Sequence, residues 1–346
     1  MSPADGTIAG MESPLPAFDP GSDADAGITA AAALLAQGRL VGLPTETVYG
    51  LAADARNPEA VRAIFTLKQR PADHPLIVHI GSVEELHAWA AAVPPAALAL
   101  ARAFWPGPLT LVLPARPDVP RVVTGGLDTV ALRMPAHPIA LALLRRFGRG
   151  VAAPSANRHL HVSPTTAEHV RAEFGDALPL VLDGGPCTVG IESTIVDVST
   201  DPPRILRPGR ISAAEIAACL QRDVDLRPAA GTRSPGLMKR HYSPRAAVVC
   251  APPAAVQTQV EACLARGLRT AQLSALPPAV AHPALLWLDA GNSVETRMQR
   301  LYALLREADA RGAEVIVAEL PEGDGTAEAL RDRLLRAAGQ GSVPSS

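Results

Sequence analysis

Lysine is rare in this chain, which makes each of its lysines a candidate for specific chemistry. Of the 32 lysine and arginine residues, only Lys68 and Lys239 are lysines. Arginine is a planar fork, whereas lysine carries a compact point charge on a flexible stem that can reach a single phosphate oxygen. Chance in an arginine-rich composition is the alternative explanation. The residues that surround the two lysines favour a functional role over chance.

Polar residues gather where predicted strands begin or end. The loop Thr45–Thr47 follows one predicted strand, Arg133 follows another, Ser155 and Asn157 follow a third, and Ser193 begins one more. Open α/β sheets bind ligands at such strand ends. Hydroxyl groups, glycine-rich turns and several cations in these positions predict a pocket for a phosphorylated ligand.

Further candidates flank the same strands. Lys68 and Arg70 precede a predicted strand that contains His79, and Arg207 precedes Pro208 and Gly209. The chain has neither of the glycine-rich phosphate motifs of P-loop and Rossmann proteins. We also find no defensible Ser-His-Asp order, no paired carboxylates at a useful spacing and no metal-binding histidine pair. A bound nucleotide would therefore be held by neither a P-loop nor a Rossmann phosphate motif.

Each of these features also has an ordinary structural explanation. Thr45 and Thr47 are consistent with capping residues, and a histidine in an apolar strand such as His79 is more often part of a hydrogen-bonded core. The sequence 183–185, Asp-Gly-Gly, is typical of a simple turn, and Arg133 is consistent with a surface charge. Residue types alone leave these alternatives open.

Hydrophobic patterns and turn residues predict the elements that must position these groups. Strands that alternate with helices indicate an α/β fold. The predicted helices cover residues 26–37, 58–68, 138–147, 166–174, 255–265, 293–310 and 326–338, and a capping box of Ser212 and Glu215 opens a further one. The predicted strands cover residues 40–43, 76–80, 109–113, 129–132, 151–153, 180–182, 193–198, 247–250, 270–273, 285–288 and 315–318.

Length and composition set the broader limits. A chain of 346 residues predicts two domains, and 48% hydrophobic residues suffice for a real core. The net charge of −2 argues against generic polyanion binding, and no apolar run is long enough to span a bilayer. Four cysteines without a paired spacing indicate a reducing compartment, so we expect the cytoplasm.

The same patterns suggest where the domains begin and end. We predict a loose tail over residues 1–25, a first domain over 26–220, a linker over 221–245 and a second domain over 246–340. The linker has no clear periodicity and contains several prolines and glycines. Structureless stretches of that length are usually functional or disordered.

Taken together, the chain resembles the two-domain form of the threonylcarbamoyl-AMP synthase family. The resemblance rests on an ordered set of segments at residues 44–51, 68–71, 75–79, 105–110, 130–135, 153–157, 183–185, 190–194, 206–209, 234–244, 302–306 and 331–338. It implies a YrdC-type α+β domain, built on a twisted mixed sheet with helices, followed by a smaller Rossmann-like α/β domain.

The resemblance also implies an activity. L-Threonine, bicarbonate and ATP would give threonylcarbamoyl-adenylate and pyrophosphate, with Mg²⁺ bound to the ATP phosphates. A downstream transferase complex would then modify tRNA beside the anticodon, and weak contact with tRNA is a further implication. Catalysis would consist mainly of positioning and charge stabilisation, with no metal ligand from protein side chains.

The resemblance assigns roles residue by residue. Lys68 and Arg70 are implied to be catalytic. The implied L-threonine site consists of Thr47, His79, Arg133, the backbone of Ala153, and Ser193, with Arg133 as the carboxylate clamp. The implied ATP site consists of Lys68, Arg70, His74, Thr129, Ser155, Asn157, Ser163, Arg207 and Tyr242. Tyr242 lies in the linker, which is implied to close over the site as a lid.

Two departures from the family pattern and two alternative functions remain at this stage. His159 and Leu160 stand where the family often has Ser-Gly, which puts the shape of a loop near the phosphates in doubt, and Leu237 replaces a usual methionine. The alternatives are a carbamoyltransferase of the hydrogenase-maturation type and a non-catalytic module that binds double-stranded RNA or tRNA. The missing zinc-finger cysteines weaken the first, and the missing basic stripe weakens the second.

Overall fold

Two β-sheets organise the part of the chain that the computed structural model describes, which is residues 22–225, 240–279 and 281–340. The first sheet has eight strands in the order β1-β2-β6-β3-β5-β4-β7-β8. These strands are β1 (Val41–Leu43), β2 (Gly50–Asp54), β3 (Ile77–His79), β4 (Leu109–Pro114), β5 (Thr129–Arg133), β6 (Val151–Ala152), β7 (Thr194–Asp197) and β8 (Arg204–Arg207). The pairs β3–β5 and β4–β7 are parallel and the other pairs antiparallel, so the predicted mixed sheet is confirmed.

Helices connect these strands, and their ends follow ordinary capping chemistry. Asn57 accepts hydrogen bonds from the backbone of Glu59 and Ala60 at the start of α2, and Ser212 forms a capping box with Glu215 at the start of α8. The helices of this part are α1 (Ser22–Ala36), α2 (Pro58–Lys68), α3 (Leu86–Trp89), α4 (Pro95–Phe104), α5 (Arg121–Thr124), α6 (Pro138–Phe147), α7 (Ala167–Phe174) and α8 (Ala213–Leu220). We call α1 to α8 with this sheet the first domain.

The second sheet is smaller and entirely parallel. Its order is β11-β10-β12-β9, and its strands are β9 (Ala247–Ala251), β10 (Thr270–Ser274), β11 (Leu285–Asp289) and β12 (Val315–Glu319). The helices between and after them are α9 (Val256–Ala265), α10 (Val294–Ala310) and α11 (Thr326–Ala337). We call this part, β9 to α11, the second domain.

One hydrophobic cluster continues across the boundary between the two domains. Val162 and Ile191 of the first domain pack with Tyr242, Tyr302 and Leu330, and all of these side chains are buried. The contact is therefore a core rather than a wet surface, and it holds α10 and α11 against the first domain.

Several sequence expectations differ from the structure. Residues 180–182 do not form a strand, because only Val181 bridges Gly42. Strands β2 and β8 were not predicted, since their short sequences lack a clear alternation of apolar and polar residues. Helix α1 begins at Ser22, inside the predicted tail.

Parts of the predicted linker lie outside the described residues, among them Lys239 and the Ser-Pro-Gly sequence at 234–236. Within the described ranges, none of the helices combines the length and the apolar character that a membrane span needs.

Candidate active site

An open cavity lies where the polar strand ends meet the described part of the linker. Its walls come from the loop after β1, the ends of β3, β5 and β8, the turn after β6, and the segment before β9. Arg70, Arg133 and Arg207 contribute positive charge to the lining, and Glu192 contributes a carboxylate. A concave surface with a few convergent polar groups is typical of a small-molecule site.

Strand register places His79 beside Arg133. Strands β3 and β5 are parallel neighbours, and the two residues are direct partners at the carboxyl ends of these strands. Arg133 is 4% exposed, so the surface-charge alternative is wrong. Both side chains line the cavity.

The Arg133 guanidinium is held from several sides. Nη1 donates to the hydroxyl of Thr47 at 2.8 Å, and Nε donates to the carbonyl of Gly107 at 3.3 Å. Nη2 lies 2.6 Å from Oε1 of Glu46, an ion pair whose angles do not form a hydrogen bond. Because this ion pair leaves donor capacity on the guanidinium, a ligand carboxylate could be accommodated there.

Thr45 shapes the loop that presents Thr47. Its hydroxyl donates to the carbonyl of Val48 at 2.6 Å and accepts from the backbone nitrogen of Thr47 at 3.2 Å. The two threonine hydroxyls lie 2.9 Å apart. This local network fixes the Thr47 hydroxyl in front of Arg133, and both threonines line the cavity.

His79 is a buried, neutral imidazole. Burial, together with the positive charge of Arg133, lowers the pKa of His79 from its usual 6.5 to about 3. Hydrogen bonds between the ring and the backbone of Ile77 and Val151 partly offset this lowering. His79 is therefore a buried histidine that also lines the cavity.

Lys68 lies behind the cavity wall rather than in it. The side chain is 2% exposed, and its ammonium donates to the carbonyls of Ser155 and Asn157, both at 2.5 Å. Burial, reinforced by the nearby charge of Arg70, lowers the pKa of Lys68 well below its usual value. Lys68 thus holds the 155–157 turn, from which Ser155 faces the cavity.

Two further arginines line the cavity. Burial lowers the pKa of Arg70 to about 10, so this side chain remains charged at neutral pH. Nε and Nη2 of Arg207 donate to the carbonyl of Ser193 at 3.1 and 2.9 Å, and Nη2 also donates to the Ser193 hydroxyl at 3.1 Å. That hydroxyl lies 2.8 Å from the hydroxyl of Thr110.

The described part of the linker reaches the same cavity. His241 and Tyr242 both line it, and Tyr242 is fully buried with a positive φ of 61°. Their rings make an edge contact with centroids 3.9 Å apart. Burial raises the pKa of Tyr242 to about 12, and burial near Arg70 and Lys68 lowers the pKa of His241 well below 6.5, so both rings are neutral.

Other predicted site residues lie outside the cavity wall. Asn157 donates from its amide to the carbonyls of Arg158 and His161, and Ser163 donates to Glu192 at 2.8 Å. Neither they nor His74 and Thr129 belong to the lining.

The sequence patterns assign no role to three lining or supporting groups: Glu46, Glu192 and His241. Each adjoins a residue that was identified, in the sequences Thr-Glu-Thr, Glu-Ser-Thr and His-Tyr. A carboxylate next to a predicted cation pocket is the signal that would have found the first two.

The fold and the cavity define a two-domain α/β protein with a cation-lined site that is formed by the strand ends of its first domain and bordered by the linker. Comparison with known proteins names the family. A family model described as "Telomere recombination", for Sua5, YciO and YrdC proteins, matches residues 33–209. A second, described as "Threonylcarbamoyl-AMP synthase, C-terminal domain", matches residues 211–339. The chain belongs to the threonylcarbamoyl-AMP synthase family.

Relatives match over nearly the whole chain. The threonylcarbamoyl-AMP synthase of Pyrococcus abyssi is 42% identical over 320 residues, which cover 90% of this chain and 94% of the relative. That of Bacillus subtilis is 40% identical over 329 residues, covering 91% and 94%. The crystal structure of P. abyssi Sua5 complexed with L-threonine superposes with a TM-score of 0.84 at 40% identity, over 90% of this chain and 94% of that one.

The buried state of His79 predicts a specific effect of pH on stability. With a folded-state pKa of about 3 and an ordinary value of 6.5, the unfolded chain binds a proton between these pH values that the folded chain excludes. His79 therefore removes stability as the pH falls, by at most about 1.4 kcal/mol per pH unit. In His79→Gln this contribution is absent, so the variant's unfolding free energy should fall less steeply than that of the wild type between about pH 6 and about pH 4.

The measurement is denaturant unfolding at several pH values. His282→Gln, at an exposed histidine of the second domain, is the matched control and should follow the wild type. Parallel pH dependences of His79→Gln and the wild type would contradict a neutral, buried His79.

Proposed function

We propose that the chain is an L-threonylcarbamoyladenylate synthase, a nucleotidyltransferase that converts L-threonine, bicarbonate and ATP into threonylcarbamoyl-AMP and pyrophosphate. The observation that carries the proposal is the cavity lined by Arg70, Arg133 and Arg207, in a chain that matches threonylcarbamoyl-AMP synthases along almost its full length. The same matches favour this enzyme over a non-catalytic RNA-binding module or a carbamoyltransferase.

The threonine end of the site follows from the polarity of each group. The Arg133 guanidinium would bind the threonine carboxylate, with Thr47 fixing the guanidinium through its hydroxyl. A neutral His79 can accept a hydrogen bond from the threonine amine, which a protonated ring could not. The Ser193 hydroxyl and the backbone of Ala153 would contact the remaining polar groups of threonine.

The chemistry requires little from a protein base. The threonine amine combines with bicarbonate to form a carbamate, with loss of water, and a carbamate oxygen then attacks the α-phosphorus of ATP. The bond from the α-phosphorus to the bridging oxygen breaks, and pyrophosphate leaves with the electron pair. Orientation and compensation of the phosphate charge are therefore the main contributions of the site.

At the phosphate end, Arg70 and Arg207 would supply the direct charges. We propose that Lys68 contributes by holding the 155–157 turn, and with it Ser155 and Asn157, in place for the nucleotide. Ser163 would act through Glu192, and Tyr242 would cover the nucleotide as part of the lid. His74 and Thr129 remain predictions for the outer part of the ATP site.

Mg²⁺ would arrive with ATP. Among the described residues, no group of three His, Cys, Asp or Glu side chains comes together as a metal site. The residues present thus suit an ion that is held through phosphate oxygens and water. It would compensate phosphate charge beside the arginines.

The proposal extends to the setting of the enzyme. The second domain, with parallel strands that alternate with helices, is proposed to be Rossmann-like. The adenylate would pass to a downstream transferase complex that modifies tRNA, with at most a weak contact between tRNA and this chain. The cytoplasm is the proposed location.

Pyrophosphate release by the full chain tests the function directly. With ATP and Mg²⁺, release should depend on both L-threonine and bicarbonate, and omission of either should remove it. Pyrophosphate release at the same rate without threonine would contradict the proposed function.

Arg133 variants test the carboxylate clamp. Arg133→Lys keeps the charge but loses the planar fork, so we expect KM for threonine to rise about tenfold or more, in line with the loss of one charge-assisted hydrogen bond. Arg133→Ala should abolish turnover. Steady-state kinetics with threonine as the varied substrate measure both effects, and KM for ATP serves as the internal control. An unchanged KM for threonine in Arg133→Lys would reject the assignment.

A further inference from the structure

A chain of buried charges crosses from the active-site cavity into the second domain. Nε of Arg333, on α11, donates to Oε2 of Glu192 at 2.8 Å, and Nη1 donates to Asp332 at 2.5 Å. Asp332 in turn accepts from Nε of Arg336 at 2.9 Å. The signs alternate along Glu192, Arg333, Asp332 and Arg336, and all four side chains are buried.

Glu192 is held almost entirely by partners from outside its own loop. Its Oε1 accepts from Ser163 at 2.8 Å, and its Oε2 accepts from the hydroxyl of Tyr302 on α10 at 2.8 Å as well as from Arg333. Two of these three donors belong to the second domain. Glu192 itself lines the cavity, directly before Ser193.

The loop around Glu192 is thus fixed from two directions. The second domain fixes the Glu192 side chain, and Arg207 of the first domain fixes the Ser193 carbonyl. Arg333 also donates from Nη2 to the carbonyl of Pro208 at 2.9 Å, one residue beyond Arg207. One guanidinium therefore contacts both segments that present Ser193 and Arg207 to the cavity.

Helix α11 holds the linker as well. The carbonyl of Arg336 accepts from the backbone nitrogen of His241 at 3.2 Å, and that of Ala337 accepts from the Ser243 hydroxyl at 3.3 Å. The Arg333 guanidinium lies 5.4 Å from the centre of the Tyr242 ring. The two linker residues that line the cavity are consequently anchored to the same turn of α11.

The charge state of Glu192 depends on these partners. Burial alone would raise its pKa, but the charges of Arg333 and Arg207, with hydrogen bonds from Arg333 and Ser163, lower it below 4.5. The titratable groups that face Glu192 are Arg333 on α11, Tyr302 on α10, Tyr242 in the linker and Arg207 on β8. Of the cations among them, Arg333 is the one in hydrogen-bond contact with the carboxylate. Asp332 lies beyond Arg333 and pairs with its guanidinium.

We propose that Arg333 of the second domain is a positioning residue of the active site, which holds Glu192 ionised and thereby fixes Ser193, Arg207 and Tyr242 around the substrates. The inference deepens the proposed function and rests on it. The second domain then completes the site: it supplies no group to the reacting atoms, but the cavity wall keeps its shape only while Arg333 is in place. Without Arg333, Glu192 would bind a proton at a higher pH. The site would then lose its shape at a pH at which the wild type keeps it.

The test compares Arg333→Met and Arg333→Lys with Arg331→Met in the full chain. Arg331 lies on the same helix, and within the described ranges its side chain donates to two carbonyls of the second domain, those of Pro321 and Gly323. Pyrophosphate release is measured against threonine concentration across pH. We expect kcat/KM for threonine to fall at least tenfold in Arg333→Met, and the acid limb of its pH profile to move to higher pH. Arg333→Lys should recover part of both effects, and Arg331→Met should match the wild type.

A double mutant separates positioning from general damage to the fold. Glu192→Gln removes the carboxyl group that Arg333 keeps ionised. Adding Arg333→Met to this variant should therefore lower kcat/KM for threonine little further, whereas two independent effects would multiply. An acid limb that does not move in Arg333→Met, or an equal loss in Arg331→Met, would overturn the proposal. If Arg333→Met does not fold, Arg333→Lys and Glu192→Gln are compared with the wild type instead. An unshifted acid limb in Arg333→Lys together with full activity in Glu192→Gln would overturn the proposal.

Failure of the proposed function is distinguishable from failure of this inference. A wild-type chain without threonine-dependent release would reject the function. The same variants would then be compared by calorimetric titration with L-threonine across pH. In that experiment Arg333→Met should weaken binding, most of all at acid pH, and Arg331→Met should not; equal binding by all variants would contradict the positioning role.

Discussion

Buried positive charge is the constraint on which the rest of this structure depends. Arg133, Arg207 and Arg333 are buried and Arg70 is half-buried, and charges removed from water require compensation. Backbone carbonyls and hydroxyls accept hydrogen bonds from several of their N–H groups, and they do so without neutralising the charge. The cavity therefore keeps an excess of positive charge, which an anionic ligand would complete.

Two carboxylates near the cavity compensate part of that excess positive charge. Glu46 pairs with Arg133, and Glu192 pairs with Arg333. On this account Glu46 and Glu192 fix the orientation of their arginines, while Arg70 and Arg207 line the part of the cavity proposed for the phosphates. The division matches the two ends of the proposed site, with the amino acid near Arg133 and the triphosphate near Arg70 and Arg207.

Local chemistry made much of the fold predictable from the sequence. The N-cap Asn57 with the following proline, the capping box of Ser212 and the apolar strand with His79 all act within a few residues, so pattern and propensity could find them. The order of the family segments likewise indicated which polar residues would meet. The same signals could not show that Lys68 turns toward two carbonyls, because Ser155 and Asn157 lie 87 and 89 residues away in sequence.

Local sequence signals also could not predict the role of the second domain, because the residues that meet there are far apart in the sequence. Arg333 and Glu192 are 141 residues apart, and neither belongs to a motif that predicts the other. Only the packing of α10 and α11 on the first domain brings them together. Their ion pair links the two domains at the cavity wall, which explains why a catalytic domain with its own complete sheet is joined to a second core.

A structure of the full chain with L-threonine and a non-hydrolysable ATP analogue tests the central claim most directly. The account predicts the threonine carboxylate on the Arg133 guanidinium and the phosphates beside Arg70 and Arg207, with Glu192 still bonded to Arg333. Phosphates bound away from both arginines, or a threonine carboxylate turned away from Arg133, would contradict it.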